Sequence, residues 1–270
     1  MNIVSAPRMH PCPFIQASAL LHVGAAVATA FNLDLWPWGL GAVATNHALL
    51  TLAGLLPGCA WLGPNWRRLP AEAVARGELA LSFDDGPDPA VTPAVLDLLD
   101  RRGVKASFFC IAERALRHPE LVGDIIRRGH AVENHTLRHR HDFSLLGPQA
   151  MLNDVSAAQA ILATLTGVPP RFFRAPAGLR NLFLAPVLAR LDLRLTSWTR
   201  RGFDTRSGDA DVVCARLLRG LSAGDILLLH DGHAARTHNR SAVILEVLPR
   251  LLEAIAAAGL HPVTLRSALA

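Results

Sequence analysis

The sequence predicts an α/β fold: a barrel-like (β/α) arrangement of about seven parallel strands, preceded by a hydrophobic helical hairpin. Three observations carry this expectation. From Gly77 onward, short apolar runs alternate with longer runs of helical period, and such alternation implies parallel strands joined by crossover helices. No G-x-G-x-x-G follows a strand and no Walker loop is present, which argues against a flat nucleotide-binding sheet. Ahead of all this lie two long apolar stretches without a single charge.

Those stretches run from Phe14 to Leu33 and from Leu35 to about Leu62. Each is near the ~20 residues that a helix needs to cross a bilayer. Asn32 and Asp34 fall in the short turn between them, and Trp36, Trp38, Trp61 and Trp66 sit near segment ends, where an aromatic belt is expected. Gln16, His22, Asn46 and His47 make both mediocre spans, so a re-entrant or interfacial hairpin is an alternative. A secretory signal is another, with Arg8 as its n-region and Ala28-Thr29-Ala30 as its cleavage pattern. A cleaved signal, however, would not need a second apolar stretch directly behind it. The chain therefore divides into anchor helices (1–66), a linker (67–76) and a main domain (77–270). Arg8 precedes the first stretch, Arg67, Arg68 and Arg76 follow the second, and the turn holds no Lys or Arg. The positive-inside rule then puts the main domain on the cytoplasmic side of a bacterial inner membrane; a periplasmic or secreted domain is the alternative.

In the main domain, Glu78–Phe83 reads as the first strand. Val91–Arg102 follows as a helix, with Val91, Val95, Leu98 and Leu99 on one face and Gly103 beyond its end. Lys105–Ile111 is a strand and His118–Arg128 a helix entered through Pro119 and closed by Gly129. His130–Asn134 is a short strand, Pro148–Thr166 a helix ended by Gly167, and Arg171–Arg174 a strand running into a Pro-Gly loop. Helices at 181–191, 210–220 and 242–258 alternate with strands at 193–198, 226–230 and 261–265.

Composition limits the partners. The 270 residues carry a formal net charge of +5, and 26 of the 27 basic residues are arginine. This suggests a phosphate-bearing substrate or a lipid surface, or simply a preference for arginine codons. No long basic run or aromatic RNA-type box supports nucleic acid binding. Cys12, Cys59, Cys110 and Cys214 form no CxxC pair and no disulfide framework, which favours a reducing compartment.

The unusual polar residues cluster at the ends of strands, where parallel barrels carry their catalytic groups. Strand one ends in Asp84-Asp85, whose side chains point opposite ways in extended chain and so do different jobs, unless the pair is only an acidic Asp-Gly-Pro turn. His135 and His139 are four apart, so one helical turn would put both imidazoles on one side. With a carboxylate they make a His-His-Asp site with open positions for water and substrate; the alternative is a surface helix with scattered histidines. Arg174 ends another strand, where it can pair with a carboxylate or be solvated. His230 closes the apolar run 226–229, and its neighbour Asp231 could bond it or cap the loop.

Ser82-Phe-Asp-Asp-Gly-Pro87, His135-Thr-Leu-Arg-His139, Arg174-Ala-Pro-Ala-Gly178 and Leu228-Leu-His230, in that order, resemble the polysaccharide deacetylase family (the NodB-homology domain, carbohydrate esterase family 4) across about residues 77–268. The resemblance implies a distorted (β/α) barrel that removes an N-acyl group, acetyl or formyl, from an amino sugar with a divalent metal. It implies Asp84 as general base, and Asp85, His135 and His139 as ligands of zinc or, alternatively, cobalt, nickel or manganese. Arg174 would hold Asp84 ionised, the Ala177 N–H would help bind the oxyanion, Leu228 would line the acyl pocket, and His230 would be the general acid. A carboxylate must keep His230 cationic: Asp204 by family position, Asp231 by locality. Two departures stand out, Ala177 at a usually aromatic position and Thr205 where a tryptophan usually follows the aspartate, and they argue against a long chitin or peptidoglycan chain. Arg200, Arg201 and Arg206 flank Asp204, and Arg236 and Arg240 follow His230; they suggest a lipid-linked, phosphate-bearing amino sugar deacylated at the membrane's inner face, or else are solvated. An O-acyl esterase and a non-catalytic sugar- or lipid-binding protein are the competing readings.

Overall fold

The computed structural model describes residues 12–269; Arg8 lies outside them. All eight strands described are parallel: β1 (Glu78–Asp84), β2 (Ser107–Cys110), β3 (Ala131–Asn134), β4 (Phe172–Phe173), β5 (Arg194–Leu195), β6 (Arg200–Arg201), β7 (Ile226–His230) and β8 (His261–Val263). Seven run in the order β5-β4-β3-β2-β1-β7-β6, while β8 pairs with the start of β1. The edge strands β5 and β6 do not pair with each other, so the curled sheet is a half-barrel, the distorted barrel that the resemblance implies.

Alternation along the central strands sorts the side chains. Leu79, Leu81 and Phe83 of β1, Phe108 and Cys110 of β2, and Leu227 and Leu229 of β7 face outward into a large apolar core with the covering helices. Ala80, Phe109 and Ile226 face inward. By the same alternation Ser82 and Asp84 of β1, and Leu228 and His230 of β7, also face inward.

After the hairpin helices α1 (Pro13–Phe31) and α2 (Trp36–Leu55) come α3 (Ala71–Ala75), α4 (Thr92–Arg101), α5 (Ala112–Arg117), α6 (Pro119–Arg127), α7 (Pro148–Thr166), α8 (Leu184–Arg190), α9 (Ala210–Leu218) and α10 (Val243–Ala257). Local chemistry sets their ends. α7 starts at Pro148, whose fixed φ suits a first helical turn, and stops at Gly167 in the left-handed conformation (φ 71°). The Asp209 carboxylate caps α9 by accepting from the N–H groups of Asp211 and Val212. The short helix α5 was not foreseen; it follows β2 directly, where the sequence shows only the tail of an apolar run.

α1 and α2 pack together across a 3-10 turn at Leu33–Leu35. Among the described residues α1 alone is long and apolar enough to cross a membrane, with a mean hydropathy of 1.6. The second stretch does not stay helical to Leu62. α2 ends at Leu55, and the chain turns onto the half-barrel: Leu62 is buried, and Ser197 Oγ donates to the Pro57 carbonyl (2.6 Å). Residues 67–76 are not a free connection either. The Leu69 N–H donates to the Gly224 carbonyl (2.9 Å), Arg68 pairs with Asp225 (3.2 Å), and Ala73 is buried.

Candidate active site

A cavity of about 670 Å³ opens at the C-terminal ends of the strands, and Asp84, Asp85, His135, His139, Ala177, Arg201, Leu228 and His230 all line it. Arg174 lies beneath, fully buried. Its Nη1 donates to Asp84 Oδ1 (2.6 Å) and Ser82 Oγ (2.9 Å), and Nε and Nη2 reach the carbonyls of Thr196 and Ser197. The guanidinium sits 4.0 Å from the centre of the Phe109 ring. A charge this deep is tolerated because a carboxylate and three oxygen acceptors meet it.

Asp85 turns away from Asp84 at φ 71°. Its Oδ1 lies 3.2 Å from His135 Nε2 and 3.2 Å from His139 Nε2. Burial alone would raise the Asp85 pKa, but the close imidazoles of His135, His233 and His139 outweigh it and hold the carboxyl well below the usual range. His135 Nδ1 is 2.8 Å from the Arg174 carbonyl; a carbonyl only accepts, so Nδ1 carries a proton and Nε2 is the nitrogen turned toward Asp85. The expected helical turn between the two histidines is absent: residues 135–141 form a loop, with Thr136 at φ 70° and His139 at φ 53°. Side-chain bonds shape it instead. Asn134 Oδ1 accepts from the Thr136 N–H, Thr136 Oγ1 from the His139 N–H, and Asp154 from the Leu137 N–H.

These residues fit a metal ion. One ligand atom each from Asp85, His135 and His139 lies within 4.8 Å of the others. Asp85 Oδ1 is buried without a hydrogen-bond donor, as an oxygen meant for a cation would be. Two imidazoles and one carboxylate suit a borderline divalent ion and leave coordination positions open.

On the strand beside Asp84, His230 Nδ1 lies 2.8 Å from Asp204 Oδ1, and Asp204 Oδ2 accepts from the His230 N–H (2.8 Å). Burial lowers the His230 pKa, yet the Asp204 carboxylate overrides it, so the imidazole titrates above its ordinary value. The local candidate, Asp231, points elsewhere. It accepts from Thr92 Oγ1 (2.6 Å), and burial pushes its pKa up to about 7. Ala177 holds φ 53° in the turn Pro176–Gly178.

The loop arginines part company. Arg201 lines the cavity, as do Arg114, Arg117 and Arg138, which were not foreseen. Arg200, Arg206 and Arg236 do not line it. Arg200 turns outward to Asp225 (2.9 Å) and to the carbonyls of Arg219 and Gly220, and Arg236 bonds to the Arg240 carbonyl. His233 joins the site as well: its Nδ1 lies 3.2 Å from Asp85 Oδ2, and its signal in the sequence is the second histidine of His230-Asp-Gly-His.

The polysaccharide deacetylase family model matches residues 71–196. A peptidoglycan-N-acetylglucosamine deacetylase of Bacillus cereus is 33% identical over 175 residues, which cover 64% of this chain and 81% of that protein. A chitooligosaccharide deacetylase of a Bradyrhizobium species is 35% identical over 62% of this chain and 76% of its own length. Among solved structures, the family 4 carbohydrate esterase of Streptomyces lividans in complex with acetate superimposes with a TM-score of 0.62 at 30% identity, over 69% of this chain and 91% of that one. A peptidoglycan N-acetylglucosamine deacetylase does so with a TM-score of 0.68 at 27% identity, over 75% and 91%.

Proposed function

The chain belongs to the polysaccharide deacetylase family, hydrolases of non-peptide C–N bonds, and from that premise we propose that it removes an N-acetyl or N-formyl group from an amino sugar in a glycan or glycan precursor. The observation that carries this reading is the pairing of the Asp84–Arg174 contact (2.6 Å) with the His230–Asp204 contact (2.8 Å) on the neighbouring strands β1 and β7 of one metal-competent cavity.

Asp85, His135 and His139 would hold the ion, zinc by preference of the donor set, with cobalt, nickel or manganese as substitutes. When bound, it supplies Lewis acidity toward water and the amide carbonyl. Asp84, held in place by Arg174 (2.6 Å), takes the proton of the attacking water. The Ala177 N–H donates to the oxyanion of the tetrahedral intermediate. Leu228 bounds the acyl group. His230, held cationic by Asp204, gives its proton to the leaving amine, which departs poorly without it.

The finer substrate in this reading is a phosphate-bearing amino sugar linked to a lipid, reached by a domain tethered through α1 and α2. The support is the apolar hairpin beside an arginine-lined cavity. The arginines at 67, 68 and 76 support a domain on the cytoplasmic face; a reporter fused after Ala270 that is active only outside the membrane would overturn that orientation.

The decisive experiment loads the protein with zinc and follows acyl release by mass from acetylated and formylated amino sugars, free and lipid-linked. Asp84→Asn is expected to keep its zinc and lose about 10²–10⁴-fold in turnover, whereas Asp85→Ala loses the zinc itself. A protein that binds zinc and releases no acyl group from any of them is a binding protein instead, and release from O-acyl sugars alone makes it an esterase.

A further inference from the structure

β6 is only two residues long, and it pairs with β7 so that Arg201 stands opposite Leu228. Neighbouring side chains on a strand go opposite ways. Arg200 leaves the cavity for Asp225 and the end of α9. Arg201 enters the cavity beside Leu228, the residue placed at the acyl group.

Arg201 is fixed there without an acid to satisfy it. Its guanidinium lies 5.3 Å from the centre of the Trp198 ring and 4.8 Å from that of Phe203. Its Nε is buried with no hydrogen-bond partner. Among the described residues, no carboxylate lies within 4.0 Å of it, while Arg138 pairs with Glu113 and Arg114 and Arg117 bond to the carbonyls of Asp85 and Glu113. A buried N–H without an acceptor costs roughly 1–3 kcal/mol, and more when it is charged. The surroundings add a further cost. Phe203 adopts φ 61°, a left-handed conformation that costs a non-glycine residue about 1–2 kcal/mol, and its ring also lies 5.5 Å from the Arg216 guanidinium. Strain of this kind persists where the fold holds a group for use.

We infer that Arg201 is the residue through which the cavity recognises an oxyanion, a phosphate carried by the amino-sugar substrate close to its acyl group. This rests on the N-deacylase reading of the site. A guanidinium presents a planar fork that meets phosphate oxygens through two parallel N–H bonds, and the two rings hold that plane in place. Asp84 and Asp85 would otherwise repel an anionic sugar from the same cavity, and Arg201 offsets them.

Three acetylated substrates test it: N-acetylglucosamine 1-phosphate, polyprenyl-diphosphate-linked N-acetylglucosamine in micelles, and a neutral chitooligosaccharide. The wild type is expected to favour one or both phosphorylated substrates by kcat/KM. Preference for both points to the sugar phosphate itself, and preference for the lipid-linked one alone points to a headgroup. Arg201→Gln is expected to cut the ratio of anionic to neutral kcat/KM by about 10- to 100-fold, the loss of one charge-assisted contact. Arg201→Lys should fall between, keeping charge and losing the fork. Calorimetric titration with inorganic phosphate gives a readout free of turnover: the zinc-loaded wild type binds, and Arg201→Gln does not. A ratio unmoved by Arg201→Gln, or phosphate binding equal in both proteins, overturns the inference. If no substrate releases acetate, the N-deacylase reading fails, while the titration still decides the oxyanion site.

Discussion

His230, the proposed general acid, shows how a single residue's chemistry depends on one contact that sequence proximity misassigns. Asp231 is adjacent to His230, and Asp204 is 26 positions away. In a strand, adjacent side chains face opposite sides, so Asp231 lies outside the cavity against Thr92 while His230 lies inside it. The Asp204 carboxylate raises the His230 pKa against the pull of burial. The protonated acid therefore persists above the ordinary value of 6.5, and its contribution to stability is full below that value and lost as pH rises through the raised one. In Asp204→Asn the largest raising influence is gone and only the charges of Asp84 and Asp85 still oppose burial, so the basic limb of the kcat/KM profile should move to lower pH, with kcat down about 10²-fold near neutrality. A pH–rate profile with an unmoved basic limb would show that Asp204 does not tune His230. Similar placements recur around the cavity: Asp85, Thr136, His139, Ala177, Phe203 and His233 all hold positive φ. The motifs name most of these residues, but a left-handed backbone at non-glycine positions leaves no mark in sequence, and so the loop between His135 and His139 reads as a helical turn.

At the scale of elements, legibility follows length and punctuation. The Pro148–Thr166 helix keeps its expected bounds because proline and glycine mark both ends, and β7 keeps its own because five consecutive apolar or site residues are all buried. β6 goes unseen: two arginines have no strand periodicity, and only pairing with β7 makes them extended. His130 joins three elements, following α6, preceding β3, and accepting at Nδ1 from the Ala106 N–H (3.1 Å) just ahead of β2. That bond requires a neutral ring, and burial lowers the His130 pKa to about 4. The sign follows. The unfolded chain takes up a proton near pH 6.5 and the folded chain does not, so stability falls as pH drops from 6.5 toward 4. Allowing for partial solvent screening, the loss at pH 5 is about 1–2 kcal/mol. His130→Asn keeps an acceptor near the Nδ1 position and cannot be protonated. Urea unfolding at pH 7 and pH 5 should show a smaller drop for the variant than for the wild type. An equal drop would move the acid sensitivity to other groups.

For the whole molecule, the question is how a hydrophobic hairpin and a half-barrel share one chain. Both helices of the hairpin leave large apolar side chains in the open, Phe31 and Trp38 among them, and their polar groups turn toward each other. Asn46 Nδ2 donates to Ser18 Oγ (2.7 Å), and His22 Nε2 lies 3.2 Å from His47 Nε2. Three of the polar residues in these stretches, His22, Asn46 and His47, are thus paired between the helices, which is how a hairpin can enter an apolar medium without stranding their donors. The hairpin is nevertheless tied to the catalytic side. The Arg180 N–H donates to the Gly54 carbonyl (3.1 Å), and a side chain at Gly54 would collide with the Arg180 carbonyl. From Pro57 onward the chain belongs to the half-barrel, since the Trp66 N–H donates to the Leu195 carbonyl and its carbonyl accepts from Ser197. Two truncations should therefore behave differently. Removal of residues 1–55 is expected to abolish co-sedimentation with phospholipid vesicles and keep acetate release from a water-soluble substrate within a few-fold. Removal of residues 1–70 also takes away Leu69, Trp66 and the segment bonded to Ser197, whose carbonyl meets Arg174, and should lower both thermal stability and turnover. Vesicle binding that survives the first truncation would place the membrane contact on the half-barrel instead of the hairpin.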